Sequence, residues 1–230
     1  MNKVFLSAGH GGKDSGAVGY GLVEKDINLN ILLSCKAELE RHGVTVIASR
    51  LKDENDGTRD EVAEANASGA DLAVSVHTNA GGGDGFEAFY WSLNANDKKL
   101  AGLCEKHIKA LGQNSRGLKS GDHLYWCRNT TMTSCLVESF FIDNDKDNDI
   151  GDTVAEQKAI GVAYAKAILE YLGVKWIAPK TENEENAEIV DLLFSAGILS
   201  DKALWLLKIK TDKNCYWLMR NMADYIKGES

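Results

Sequence analysis

The sequence has few of the features that mark membrane, secreted or nucleic-acid-binding proteins. It contains no apolar run of the roughly 18 residues that a membrane-spanning helix needs. Its first residues lead directly into a strand-like segment rather than into a signal peptide. The formal net charge of -8 argues against a nucleic-acid partner, because nucleic acids bind basic surfaces. We therefore expect synthesis in the cytoplasm, without a signal peptide and without a transmembrane segment.

Cysteine and proline are also scarce. The five cysteines are odd in number and scattered, with no CxxC pair, so they are predicted to be reduced and not to bind a metal. The one proline, Pro179, is followed by an acidic run that includes Glu182, Glu184 and Glu185. Such a change of composition is typical of a linker. We therefore predict a domain of residues 1–177 and a small helical module of residues 178–230.

Strand-like and helix-like segments alternate in the larger domain. One helix is predicted to be capped by Asp26 and to end at Gly43, and another to begin with a capping box of Thr58 and Glu61. This alternation predicts an α/β fold with helices on both faces of about six mostly parallel or mixed strands. The predicted strands span residues 3–8, 44–48, 71–76, 86–91, 123–127 and 135–138.

Histidines and glutamates occur where predicted strands end. His77 ends the apolar run LAVSVHTN, His10 follows the first strand, and Glu138 ends the last one, while Glu24 precedes the first helix. Two imidazoles and a carboxylate are a common catalytic zinc site with an open position for water. A further carboxylate can then take and return the proton. A glutamate near a helix start also has an ordinary electrostatic explanation, whereas an unpaired buried carboxylate such as Glu138 costs several kcal/mol.

The segments around these residues resemble the zinc-dependent N-acetylmuramoyl-L-alanine amidases of the type 3 family. The similar segments are SAGHGGKDSGAVG at 7–19, GLVEKDINL at 21–29, SVHTNA at 75–80 and LVE at 136–138. Together they place the resemblance over about residues 1–174. It implies a six-stranded sheet surrounded by helices and a bacterial peptidoglycan substrate. The bond cut would be the amide between the lactyl group of muramic acid and L-alanine.

The resemblance also implies roles for individual residues. His10, Glu24 and His77 match the ligands of one zinc ion per domain, and Glu138 matches the catalytic glutamate. Residues 133 and 139 depart from the family pattern, because threonine and serine replace the usual proline and glycine. Structural roles are expected for Arg50, Arg59 and Asn66.

Two further residues are predicted to contact substrate. Asn79 lies in the same motif as His77, and His123 precedes a predicted strand that should border the cleft. The other histidines, His42 and His107, are expected to have ordinary roles.

The C-terminal module carries only helical signals, with predicted helices that open at Thr181, Ser200 and Asp212. Because acidic side chains outnumber basic ones there, binding to the cell wall would depend on aromatic contacts. The predicted wall-binding residues are Trp205, Tyr216, Trp217 and Tyr225. The alternative is that these helices cap the catalytic domain or join two chains in self-association.

Two other functions remain open at this point. A zinc peptidase that cuts within the stem peptide would use the same metal ligands, and a non-catalytic wall-binding protein would release no fragment. An enzyme made without an export signal must reach the wall through a phage-made membrane hole or after lysis of a mother cell. Of these routes, release as a phage-type endolysin is favoured.

Overall fold

The computed structural model describes residues 2–55 and 57–228, and the chain folds as two units, Met1–Trp176 and Ile177–Ser230. This division lies one residue from the predicted boundary. The strands of the first unit are β1 (Lys3–Ala8), β2 (Val18–Gly19), β3 (Leu22–Val23), β4 (Thr45–Ala48), β5 (Leu72–Asn79), β6 (Phe86–Tyr90), β7 (Ser115–Ser120) and β8 (Thr133–Phe141). Its helices are α1 (Glu24–Arg41), α2 (Thr58–Ala67), α3 (Ala95–Lys109), α4 (Tyr125–Asn129), α5 (Asp145–Asn148) and α6 (Val154–Leu172).

The main sheet has six strands in the order β4-β1-β5-β8-β6-β7. The four strands β4, β1, β5 and β8 are parallel, β6 is antiparallel to β8, and β7 is parallel to β6. The prediction of a six-stranded mixed sheet is therefore confirmed. The carboxyl ends of β1, β5 and β8 meet at one edge, which is where ligands bind in open α/β sheets.

Helices cover both faces of this sheet, as predicted. On one face, alternate residues such as Leu6, Val74 and Val137 pack with α1, α3 and α6 in the larger apolar core. On the other face, Phe5 and Leu136 pack against the shorter helices α2 and α4 in a smaller core. Side chains alternate between the two faces along a strand. His77, two residues after Ser75, and Glu138, two residues after Leu136, therefore also point to this second face.

The strand predicted at residues 123–127 is wrong. These residues form a turn and then α4. The Leu124 amide donates a hydrogen bond to the Gly121 carbonyl in the turn, and the helical path that follows lets Trp126 and Cys127 both pack in the smaller core. The Trp126 indole donates to the Cys135 carbonyl at 3.1 Å. The sixth strand is instead β7, whose sequence SRGLKS has weak β propensity and lies at an edge of the sheet.

Two predicted helix starts in this unit are also wrong. The first helix begins at Glu24 after Val23, so Asp26 lies inside its first turn rather than at its cap. The second begins at Thr58 after Gly57, so Thr58 is the first helical residue and the capping box is absent. Local spacing could not locate these starts, because the short β2–β3 hairpin leads directly into α1.

The second unit consists of α7 (Glu182–Ser195), α8 (Lys202–Thr211) and α9 (Lys213–Lys227). Thr181 and Glu184 form the predicted capping box of α7, and Asp212 caps α9 as expected. The second helix is capped by Asp201 rather than opened by Ser200. A small core lies between these helices, with Val190, Leu193 and Ala223 among its buried residues. Among the described residues of both units, no helix is long and apolar enough to cross a membrane.

Candidate metal centre

Three strand ends bring the predicted site residues together. Strands β1 and β5 are parallel neighbours, and the Gly9 amide donates to the Val76 carbonyl at 3.0 Å just beyond β1. The next residue, His10, has a φ of 66°, an uncommon backbone conformation for a residue other than glycine. On β5, His77 pairs in register with Glu138 of β8.

His10, Glu24 and His77 converge on one point. Their ligand atoms all lie within 4.8 Å of one another. The Glu24 Oε1 atom is 3.3 Å from His10 Nε2 and 3.2 Å from His77 Nδ1. The structure thus brings together residues that are separated by up to 67 positions in the sequence.

These distances fit a tetrahedral metal ion. Zinc binds histidine nitrogens and carboxylate oxygens at about 2.0–2.2 Å, which places neighbouring donor atoms of a tetrahedron about 3.3–3.5 Å apart. The 3.3 Å and 3.2 Å separations between the glutamate and the two imidazoles are close to that value. Two nitrogens and one carboxylate oxygen also form a donor set that suits zinc and leaves a coordination position open.

Neighbouring groups hold the three ligands in place. Glu24 accepts hydrogen bonds from the Thr78 amide at 3.1 Å, the Ala17 amide at 2.8 Å and the Asn28 side chain at 3.2 Å. The Asp14 carboxylate lies 3.0 Å from His10 Nδ1, on the side of the ring away from Glu24. A carboxylate in this position fixes the tautomer and orientation of a metal-binding histidine.

The ionisation of the ligands follows from the same contacts. Hydrogen bonding to Glu24 raises the pKa of His10 to about 9, although burial opposes the charge. Burial disfavours the Glu24 carboxylate, but its hydrogen bonds with His10 and His77 hold its pKa well below the usual range. The carboxylate form of Glu24 that these contacts favour is also the form that binds a metal ion.

Glycines are required where the loop approaches the ligands. A Cβ atom added at Gly9 would lie 2.0 Å from Cε1 of His77, and one at Gly16 would lie 2.5 Å from Oε2 of Glu24. Gly16 also has a φ of 63°. The buried Arg50 donates to the Ala8 carbonyl at 3.0 Å and the Lys25 carbonyl at 2.6 Å, so it joins both ends of this loop.

Glu138 lies next to the triad, and its side chain is half-buried. Its Oε2 atom is buried, and among the described residues no hydrogen-bond partner reaches it. On its other side it pairs across the sheet with Glu87, a buried carboxylate that contacts Arg116 and Lys119. Burial raises the pKa of Glu138 well above its usual value, and the charges of Glu24 and Glu87 raise it further. This carboxyl group can therefore retain a proton that an ordinary glutamate would lose.

A cleft of about 490 Å³ opens above His77 and Glu138. Its floor is the face of the sheet with Ser75, Phe89 and Leu136, and its sides come from the start of α2 and from α4. The described residues that line it are Thr58, Arg59, Ser75, His77, Phe89, His123, Leu124, Tyr125, Trp126, Leu136 and Glu138.

The two predicted substrate residues have different positions. His123 lines the cleft, with its ring 6.1 Å from the ring of Phe89 in an edge-to-face arrangement. Asn79 is not among the described residues that line the cleft. Its side chain donates to Glu87 at 3.2 Å and accepts from the Ala80 amide at 2.8 Å, so it stabilises the loop beyond the metal ligands.

Sequence reasoning missed Asp14, Asn28 and Glu87. Asn28 stands four residues after Glu24, a spacing that places both side chains on one face of α1, and it also donates to the Gly9 carbonyl at 3.0 Å. Asp14 lies in the glycine-rich loop, where only the three-dimensional path of the chain places it beside His10. Glu87 could have been noticed as a lone acid within the apolar strand FEAFY.

The fold and the site together define an α/β protein in which a His-Glu-His triad that could hold a metal ion lies beside Glu138, an arrangement typical of metal-dependent hydrolases. The family model described as N-acetylmuramoyl-L-alanine amidase matches residues 4–170. The chain belongs to this family.

Individual relatives agree with that assignment. The chain is 40% identical over 200 residues to an endolysin of Bacillus phage SPP1, a match that covers 80% of this chain and 72% of the relative. It is 32% identical over 179 residues to a sporulation-specific N-acetylmuramoyl-L-alanine amidase of Bacillus subtilis, a match that covers 76% and 70% of the two chains. The catalytic domain of the amidase CwlV from Bacillus (Paenibacillus) polymyxa superposes with a TM-score of 0.71 at 31% identity. That superposition covers 76% of this chain and 100% of the other.

Proposed function

We propose that the chain is a zinc-dependent N-acetylmuramoyl-L-alanine amidase that lyses bacterial cell walls. The bond it hydrolyses is the amide between the lactyl group of N-acetylmuramic acid and the L-alanine of the stem peptide. The observation that supports this proposal is the register of His77 with Glu138 on adjacent parallel strands, since an acid would then stand beside the three side chains that could hold a metal ion.

His10, Glu24 and His77 would hold the zinc ion. When bound, zinc supplies a Lewis acid that polarises the amide carbonyl and lowers the pKa of a water molecule. The contacts of Asp14, Asn28 and Thr78 keep the three side chains in a fixed arrangement, so little reorganisation is needed before reaction.

Glu138 would move the proton. As a carboxylate it takes a proton from the attacking water, and as a carboxylic acid it gives that proton to the nitrogen of the departing L-alanine. The burial that raises its pKa helps it to hold the proton between these two steps. Phe89 and Leu136 give the floor of the cleft an apolar surface beside this exchange.

The test is Glu138→Gln, which keeps the size of the side chain but removes its acid–base function. We expect wall hydrolysis to fall by about 10²- to 10⁴-fold, since that is the usual contribution of general acid–base catalysis. The zinc content should stay unchanged because Glu138 is not one of the three converging ligands. The matched control is Glu40→Gln on the exposed side of α1, which should leave hydrolysis at the wild-type rate.

The products distinguish this function from its alternatives. Purified walls digested with and without a chelator are labelled at new amino groups, and L-alanine should become the new amino-terminal residue. A new internal stem residue would instead identify a zinc peptidase. If neither the wild-type chain nor added zinc released a fragment, a non-catalytic wall-binding protein would be the correct description.

We further propose that the second unit binds the wall. Trp205 and Tyr216 pack against its core, whereas Trp217 and Tyr225 are 67% and 78% exposed. The two exposed rings lie eight residues apart on α9, and Tyr225 borders an apolar cavity of about 340 Å³. Aromatic rings of this kind provide large contact areas without charge.

Sedimentation of the full chain with purified walls tests this role. Replacing Trp217 and Tyr225 with serine should reduce the bound fraction, because both contact surfaces are removed while the core is kept. Leu207→Ser is the matched control, since Leu207 is equally exposed on α8. Unchanged wall binding combined with a concentration-dependent change in molecular mass would favour self-association instead.

The route to the wall remains part of the proposal. An endolysin and a sporulation-specific amidase are both among the relatives, and we favour release through a phage-made membrane hole. Expression in a bacterium with no hole-forming partner should leave the cells intact and the protein in the cytoplasm. Spontaneous appearance in the medium would contradict this route.

A further inference from the structure

Arg59 is the one cationic side chain, histidines aside, among the described residues that line the cleft. It lies in the first turn of α2, and its guanidinium carbon is 5.2 Å from the centre of the Tyr125 ring. No carboxylate within residues 2–55 and 57–228 forms an ion pair with it. Among the described residues, the planar guanidinium is therefore supported by a ring and has no carboxylate paired with its hydrogen-bond donors.

The protein is acidic overall, so the positive charge of Arg59 indicates which kind of ligand the cleft would bind. The protein carries a net charge of -8, and Glu138 lies in the same cleft. An acidic ligand that approaches this negatively charged protein is favoured only where a positive group faces it. Guanidinium groups bind carboxylates through two parallel hydrogen bonds, so Arg59 has the geometry to bind such a ligand.

The size of the cleft indicates which part of a peptide reaches Arg59. A volume of about 490 Å³ corresponds to a space about 10 Å across, and an extended peptide advances about 3.3–3.6 Å per residue. With the reacting amide beside His77 and Glu138, a stem peptide that extends into the cleft would have room there for the L-alanine and the residue after it. In a peptidoglycan stem peptide that second residue is a glutamate, whose α-carboxyl group is free in some walls and amidated in others.

We propose that Arg59 is a specificity-determining residue that binds the free α-carboxylate of the second stem residue. This inference rests on the proposed amidase function. It assigns to Arg59 a contact with substrate, in place of the purely structural role expected from the sequence. Walls in which this carboxyl group is amidated would then be poorer substrates, because a neutral amide forms weaker hydrogen bonds with guanidinium.

The experiment compares walls from a matched pair of strains, with and without amidation of this carboxyl group. The zinc-loaded full chain is assayed for the appearance of new L-alanine amino groups over a range of wall concentrations. The wild-type enzyme should show a kcat/KM about tenfold higher on carboxylate walls. Arg59→Met should lose this preference, because its KM on carboxylate walls should rise until the two kinds of wall are hydrolysed with similar kcat/KM.

Two further variants make the result specific. Arg59→Lys keeps the charge without the bidentate geometry and should restore part of the preference. Arg128→Met removes an exposed arginine of α4 that is not among the described residues lining the cleft, and it should retain the full preference. Circular dichroism and the melting temperature should be the same for Arg59→Met and the wild type, because Arg59 is exposed.

The possible failures are distinct. Equal rates of the wild-type enzyme on both walls, or a preference that survives in Arg59→Met, would overturn the role of Arg59 while leaving the amidase function in place. Absence of new L-alanine amino groups from either wall would reject the amidase function itself, and the specificity inference with it.

Discussion

Gly9 offers a sharp test of the metal centre because its substitution acts on His77 through space alone. Its backbone φ is not positive, so alanine can adopt the same conformation without strain. The added methyl group, however, would lie 2.0 Å from Cε1, 2.3 Å from Nε2 and 2.5 Å from Nδ1 of His77. Gly9→Ala therefore probes one contact, that between the loop after β1 and the ring of a metal ligand.

The distances give the size of the effect. Carbon atoms in real structures do not approach closer than 3.0 Å, so the ring must move by about 1 Å or the strand must separate from its neighbour. Metal–ligand distances tolerate changes of only about 0.2 Å. Because loss of an outer-shell partner already weakens metal binding by about 10- to 100-fold, displacement of a ligand should weaken it by at least about 100-fold.

Zinc affinity is measured by competition with a chromophoric chelator, and wall hydrolysis is followed in parallel at saturating zinc. Gly102→Ala is the matched control, since the new methyl group would lie 3.7 Å from its nearest neighbour, Leu118 Cδ1, in the interior of α3. This control should bind zinc normally. If Gly9→Ala also bound zinc with wild-type affinity and hydrolysed walls, the assignment of His77 as a ligand would be refuted.

Three further outcomes are expected. Asp14→Asn should weaken zinc binding by about 10- to 100-fold in the same chelator assay, because the carboxylate no longer orients His10; unchanged affinity would show that Asp14 is only a surface group. Burial raises the pKa of Asp97 to about 6, so ionisation favours the unfolded chain between about pH 4 and 6, and stability is lost as the pH rises through this window. Urea unfolding of Asp97→Asn and the wild type should therefore show that the free energy of unfolding of the variant, relative to the wild type, rises by about 1–2 kcal/mol from pH 4.5 to pH 7. A difference that stays constant with pH would contradict the raised pKa. Gly161→Ala should lower the free energy of unfolding by about 1–3 kcal/mol, because its methyl group would lie 2.4 Å from the carbonyl oxygen of Ile31, and an unchanged urea midpoint would contradict this close helix contact.

The sequence predicted the parts of the fold that depend on burial. Buried strands such as β1 and β5 are continuous apolar runs, and the long helix α6 carries a clear apolar stripe, so their positions were evident. The edge strand β7 is only partly buried and contains Gly117, so its sequence had no comparable pattern. The segment HLYWC has the composition of a strand but forms α4, because two successive side chains enter the same core.

The same distinction applies to the candidate site. His10, His77 and Glu138 could be found because His10 follows an apolar strand and the other two interrupt apolar strands, so that each polar residue is conspicuous. The contact between Asp14 and His10 depends on a loop with several residues of positive φ, and no local pattern specifies the path of such a loop. The cleft position of Arg59 could not be predicted either, since it depends on how α2 packs beside α4.

The position of β8 in the sheet has a consequence for the order in which activity arises during synthesis. The three proposed metal ligands all lie within the first 77 residues, on or beside the contiguous strands β4, β1 and β5. Glu138 lies on β8, which is made after β6 and β7 yet must insert between β5 and β6. A nascent chain can therefore gather its metal ligands well before it has its proton donor. We expect the ribosome-bound intermediate to bind the ion without hydrolysing any bond. Hydrolysis should begin only after β8 has inserted into the sheet.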